Sequence, residues 1–268
     1  MTGDKEDSAN NMKKTFFIII ILIAIGVVVF FISSVFAPKT INLSVSNQSY
    51  KEESKEKNYT VNASYPQFSG AKDSKAEAAI NENIKSFAED SVKNFKTGLH
   101  CNFSDLGPDK PGWVCEFAFG SQNFNVVDQK ILSLEVSGYW FTGGAHGGTE
   151  YTYLNYNLNT GEKLDWKNVF KKDSDYMKII SDYSKTDLEK QLIAGEDSMT
   201  DESWIGRGTE ATEENYNTNV GFDKNGLIII FQQYQVAAYA AGPQTVVVPY
   251  GALKDVIDPN SLLSKFAK

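Results

Sequence analysis

One histidine sits among four glycines in Tyr139-Trp-Phe-Thr-Gly-Gly-Ala-His146-Gly-Gly148, and a carboxylate, Glu150, follows two residues later. Glycine permits positive φ and close backbone approach, so such a segment can present an imidazole at a tight turn beside amide donors. General acid–base catalysis would use His146 with Glu150 as its partner. No serine or cysteine nucleophile motif accompanies them. The segment reads more simply as a glycine-rich turn carrying a structural histidine, so a small envelope hydrolase centred on His146 and Glu150 is the alternative and a binding role is the leading expectation.

A second group of residues carries that binding role. Trp204 lies in an acidic stretch between Glu196 and Glu214, with Glu202 and Glu210 close by. Interface energy concentrates on aromatic side chains while charge steers encounter, which suits a basic protein partner. Tyr234 and Tyr239 add flat apolar faces with polar tips, of the kind that meet sugars or proteins. Trp204, Glu202, Glu210, Tyr234 and Tyr239 are therefore the expected ligand-binding residues. The net charge of −8 argues against nucleic acid as a partner.

Metal and cofactor chemistry find little to stand on. His100 and His146 are the only histidines, and a structural zinc site needs four nitrogen or sulfur ligands, so no metal and no cofactor is expected. The stretch Gly206-Arg-Gly-Thr-Glu-Ala211 matches a loose dinucleotide fingerprint, but no apolar strand precedes it. Cys101 and Cys115 are the only cysteines. In an exported chain they are expected to form a disulfide, which would stabilise the fold by roughly 3 kcal/mol.

Export is expected from the N-terminus. Phe16 to Phe36 holds no charge and follows Lys13 and Lys14. A helix of that length covers the ~30 Å hydrocarbon core of a bilayer, and the flanking lysines keep the N-terminus in the cytoplasm. A cleaved signal ending at Ala37 is the competing reading, and both leave the bulk of the chain outside. The expected organisation is a cytoplasmic tail over 1–14, a transmembrane helix over 15–37, a polar linker over 38–57, a smaller α+β subdomain over 58–148 and a C-terminal α+β subdomain over 149–265. The expected localisation is the cell membrane, single-pass, with the N-terminus cytoplasmic and the C-terminal domain extracytoplasmic.

The elements follow from periodicity. Tyr59 to Tyr65 alternates as a half-buried strand. Ser74 caps a helix whose apolar stripe is Ile80, Ile84, Phe87, Ala88, Val92 and Phe95. Trp113 to Phe119, Asn123 to Val127 and Ile131 to Tyr139 read as a meander of antiparallel strands, with Tyr151 to Leu158 as a further strand. A second helix, capped by Asp173 or Ser174, carries Met177, Ile180, Tyr183, Leu188 and Leu192. Gly226 to Gln233 and Thr245 to Val248 read as buried strands, and Tyr250 to Ile257 as a short helix. Strands and helices are segregated, which is the α+β class, here with antiparallel sheets and packed helices.

Three segments carry a family resemblance: Tyr139 to His146, Asn155-Tyr-Asn-Leu-Asn-Thr-Gly161-Glu-Lys-Leu-Asp-Trp-Lys-Asn-Val-Phe170, and Phe231-Gln-Gln-Tyr-Gln-Val-Ala-Ala-Tyr-Ala-Ala-Gly242-Pro. Together they resemble the exported bacterial domain shared by the anti-sigma factor RsiV and the non-catalytic region of the peptidoglycan deacetylase PdaC, over roughly residues 58 to 258. The resemblance implies a two-part α+β ectodomain on a bacterial surface. It also implies lysozyme or a cell-wall glycan, peptidoglycan, as the ligand, without catalysis by this region.

Overall fold

The computed structural model describes residues 41–98, 114–193 and 198–267. The expected tail, transmembrane helix, His100 and Cys101 lie outside them. Among the described residues no helix is long and apolar enough to cross a membrane.

A five-stranded sheet in the order β1-β2-β3-β4-β5 makes up the first half: β1 Ser44–Ser54, β2 Tyr59–Ser69, β3 Cys115–Val127, β4 Ile131–Phe141 and β5 Gly148–Asn157. Helix α1, Ser74–Thr97, links β2 to β3. That crossover makes β2 and β3 parallel, against the expectation of purely antiparallel sheets; the other neighbours are antiparallel. A helix between strands carries the chain back to the same end, which a tight turn cannot do. α1 buries Ala76, Ile80, Ile84, Ala88 and Val92 against the sheet, one residue every turn. Its cap is Asp73 and not Ser74: the carboxylate accepts from the Lys75 and Ala76 amides at 2.7 and 3.2 Å.

Two further corrections concern this sheet. Residues 44–54, expected as part of a linker, form β1, paired with β2 over the whole register from Ser44↔Ser69 to Ser54↔Tyr59. Nearly every β1 side chain is exposed, so the strand exists by its backbone ladder and leaves no hydrophobic period to read. Its Lys51, Glu52 and Glu53 suit an open edge. The two strands expected across 113–127 are one strand, β3, with a register shift between Ser121 and Phe124 that absorbs the extra residues as a bulge. Cys115 heads β3 fully buried and is not a free thiol.

The second half is a three-stranded antiparallel sheet in the order β6-β7-β8, formed by β6 Val220–Phe222, β7 Gly226–Phe231 and β8 Gln244–Pro249. Helices α2 Tyr176–Leu192, α3 Glu202–Gly208 and α4 Tyr250–Leu253 surround it. α2 follows Asp175, whose side chain makes no capping bond, while Asp173 adopts a φ of 62° before it. Ile180 and Leu188 of α2, Ile205 of α3 and Tyr216 close the core over Leu227, Ile229, Phe231, Val246 and Val248. α4 is shorter than the helix expected over 250–257.

Both sheets belong to one unit that begins at Ile41. The expected boundary at 148/149 falls inside the β4–β5 hairpin, and β5 pairs with β4 from Ile131↔Asn157 to Trp140↔Gly148. Polar groups join the sheets. The Ser133 hydroxyl donates to Asn155 Oδ1 at 2.7 Å and accepts from the Phe222 amide at 2.9 Å. Asn155 Nδ2 donates to the Val220 carbonyl at 3.0 Å, and the Tyr153 amide donates to the Thr218 carbonyl at 2.7 Å. Gly221 allows this approach, because a Cβ there would lie 2.3 Å from the Tyr153 ring.

The β3–β4 turn ties down the C-terminus. Asp128 and Gln129 both take positive φ, 50° and 57°, which fits the twist of a hairpin turn. The Asp128 carboxylate meets Lys130 at 2.9 Å and Lys265 at 2.8 Å. Partial burial opposes its charge, but the hydrogen bonds from Lys265 and Lys130 outweigh that and hold the carboxyl below its ordinary value.

Two outcomes are expected. Ser133→Ala leaves the Phe222 amide and Asn155 Oδ1 unpaired in a buried place and should lower the unfolding free energy by about 1–3 kcal/mol in a denaturant melt. Asp128→Asn should cost about 1 kcal/mol at neutral pH. A carboxyl with a depressed folded pKa stabilises above its ordinary value of 3.8 and loses that contribution as pH falls through the folded value. The difference between Asp128→Asn and the parent should therefore vanish in melts carried out well below pH 3.8.

Candidate functional site

The β4–β5 hairpin sends neighbouring residues to opposite faces of the sheet. Cross-strand pairs set Tyr139 opposite Thr149 and Trp140 opposite Gly148. A Cβ at Gly147 would lie 2.4 Å from the Tyr139 ring, and one at Gly148 would lie 2.7 Å from the Trp140 indole. The two aromatics thus lie flat over backbone that only glycine leaves open. This accounts for the glycines of the histidine segment without invoking catalysis.

On the face toward the second sheet, His146 joins an aromatic cluster. Its ring stacks on Tyr239 with centroids 3.9 Å apart and planes at 22°. Tyr234 lies 5.5 Å from Tyr239, and its hydroxyl is 3.4 Å from His146 Nε2. Tyr239 donates its hydroxyl to the Gly147 carbonyl at 3.0 Å, and Trp204 donates its indole N–H to the Tyr234 carbonyl at 3.1 Å. Gln232 docks this loop on the free edge of β5: its amide accepts from and donates to the Tyr151 backbone at 3.0 and 2.8 Å. Tyr234 adopts a φ of 68° and stays 53% exposed. The expected residues Trp204, Tyr234 and Tyr239 are brought together, with His146 among them. Glu202 and Glu210 lie exposed at the start of α3 and just beyond its end.

Glu150 belongs to the other face. By strand alternation it points the same way as Thr152, Leu154 and Tyr156, toward α1. His146 and Glu150, expected as an acid–base pair in the alternative reading, are parted in this way. No hydrogen bond joins them among the described residues.

On the α1 face a groove of about 360 Å³ opens between the second half of α1 and strands β3 to β5. Phe87 and Phe95 of α1, Phe117 and Phe119 of β3 and Trp140 of β4 form its aromatic surface. Phe95 stacks on Phe117 at 5.0 Å, which fixes that part of the floor, while Trp140 is 39% exposed. Ser91, Asn94, Thr142, Glu150 and Thr152 supply the polar part. Among the described residues the side chains of Thr142, Glu150 and Thr152 have no hydrogen-bond partner of their own. No short window of the sequence marks this groove. Phe87 and Phe95 were visible as helix-stripe residues, but nothing showed that Trp140 faces them.

A two-sheet α+β domain with one crossover helix and a docked glutamine loop defines the class. Residues 52–149 match the family model described as "Deacetylase PdaC", and residues 167–251 match "Protein of unknown function (DUF3298)". The chain carries a DUF3298/PdaC-like domain. It is 26% identical over 200 residues to the peptidoglycan-N-acetylmuramic acid deacetylase PdaC of Bacillus subtilis, a match over 75% of this chain and 39% of that protein. The chain thus spans well under half of that relative. Two crystal structures share the fold: a DUF3298-family protein from Bacteroides fragilis, with TM-score 0.60, 19% identity and coverage of 85% of this chain and 99% of that one, and a DUF3298-family protein from Pseudomonas aeruginosa, with TM-score 0.53, 15% identity and coverage of 82% and 96%.

The seating of Trp140 is open to test by a double-mutant cycle. Gly148→Val should cost about 1–3 kcal/mol in the parent chain and clearly less beside Trp140→Ala, where the obstructing ring is gone. Equal costs in both backgrounds would show that the indole does not rest on Gly148.

Proposed function

We propose that this chain is a membrane-anchored extracytoplasmic binding module of the bacterial cell envelope whose ligand is cell-wall glycan. The observation that carries this reading is the groove beneath Trp140. A pyranose ring has an apolar face of C–H groups and a rim of hydroxyls. The groove offers aromatic faces beside hydroxyl and carboxylate groups that have no partner among the described residues, at a volume typical of small-ligand sites. The match to a protein named as a peptidoglycan deacetylase supports the same ligand class. Anchoring through Phe16 to Phe36 and a bridge between Cys101 and Cys115 complete the proposal.

The hydrolase alternative draws no support from geometry, since His146 is stacked on Tyr239 and Glu150 lines the groove on the opposite face. Lysozyme, or another basic protein, as the ligand rests on the resemblance to RsiV and on the net negative charge. The aromatic residues expected to meet it, Trp204 and Tyr239, spend their polar tips on internal carbonyls.

Co-sedimentation of the purified full chain with insoluble peptidoglycan provides the test, with immobilised lysozyme run in parallel. Retention by peptidoglycan is expected, with a loss of about tenfold in affinity for Trp140→Ala. Retention by lysozyme and not by peptidoglycan would overturn the glycan reading in favour of a protein ligand.

A further inference from the structure

The groove carries a charge preference as well as a shape, and this step rests on the glycan reading above. Glu150 is the one charged residue among the described residues that line it. Among the described residues no lysine or arginine there neutralises the carboxylate, and no hydrogen bond occupies it. Register places it beside the exposed indole. Trp140 pairs with Gly148 and Glu150 pairs with Gly138, so the two are diagonal neighbours on one face of β4 and β5. Diagonal neighbours lie about 7–8 Å apart at the backbone, within reach of long and aromatic side chains. A cation standing between them meets a carboxylate on one side and the face of an indole on the other.

We propose that the groove selects hexosamine residues bearing a free amino group over their N-acetylated forms, with the sugar ammonium held by Glu150 and Trp140. The remainder of the ring rests on Phe117, Phe119 and Phe95, and Thr142 and Thr152 meet its hydroxyls. An acidic sugar substituent in the same place would face an uncompensated carboxylate and be repelled. An acetamide offers neither the charge for Glu150 nor the cation for the indole.

The test is calorimetric titration of the full chain with two short β-1,4-linked oligomers of equal length, one of N-acetylglucosamine and one of glucosamine, in mildly acidic buffer that keeps the sugar amines protonated. The glucosamine oligomer should bind about fivefold more tightly, the size expected of a partly exposed ion pair with a cation–π contact. Glu150→Gln should remove that preference by weakening the glucosamine oligomer to the affinity of the N-acetylated one. Glu53→Gln, on the exposed edge strand β1, should keep the preference.

If the N-acetylated oligomer binds as well or better, or if Glu150→Gln keeps the preference, the selectivity is overturned and the glycan reading stands. A preference erased equally by Glu53→Gln would belong to the overall negative field and also overturn it. If neither oligomer nor peptidoglycan binds, the glycan reading itself falls.

Discussion

A buried hydroxyl holds the two halves of this domain together. Ser133 stands on β4 of the first sheet, yet its oxygen accepts from the Phe222 amide on β6 of the second and donates to Asn155 on β5. Asn155 then reaches across to the Val220 carbonyl. These groups have almost no contact with water, so each lost partner would leave a polar atom stranded in a medium where it cannot be solvated. Apolar packing alone tolerates small slips between sheets. A hydrogen-bond chain running from Phe222 through Ser133 and Asn155 to Val220 has a single geometry, and it fixes β5 between two cores.

The position of β5 decides what the hairpin above it can do. Tyr139 and Trp140 are adjacent in sequence, so the pleat turns them to opposite faces, and Gly147 and Gly148 leave room for both rings. On one face the ring of Tyr139 lies near a loop that brings Tyr239 and Tyr234 to His146. On the other, Trp140 forms the rim of a groove with α1. The same four residues thus close one surface and open another. A side chain at either glycine would disturb one face and leave the other largely intact.

Much of this architecture was legible because burial leaves a period in the sequence. The α1 stripe of Ile80, Ile84, Ala88 and Val92 and the apolar runs of β7 and β8 each have one face or two faces in a core, and each appeared where expected. β1 did not, because its side chains face solvent and its pairing is a matter of backbone alone. The parallel pairing of β2 with β3 was missed for a different reason: local pattern marks a strand but not its direction relative to a neighbour separated by a helix. The groove was hidden by distance in sequence. Phe87 and Trp140 are brought together only by the sheet order, which no short window contains.

The contrast between the two aromatic surfaces shows why the more conspicuous one is the weaker candidate for recognition. In the cluster around His146 the polar tips are already used: the Tyr239 hydroxyl and the Trp204 indole N–H donate to backbone carbonyls, and the Tyr234 hydroxyl lies against the imidazole. A ligand that took those groups would have to break bonds that tie the β7–β8 loop to α3 and to the turn before β5. Binding there would cost structure. The groove has the opposite character. Its aromatic floor is fixed by packing within the first core, while Thr142, Glu150 and Thr152 have no hydrogen-bond partner among the described residues. Preorganised surface with uncommitted polar groups gives an incoming ligand its hydrogen bonds without first dismantling the protein's own. That difference in what each surface has left to offer is the physical ground for proposing recognition under Trp140 and reading the histidine cluster as a clamp.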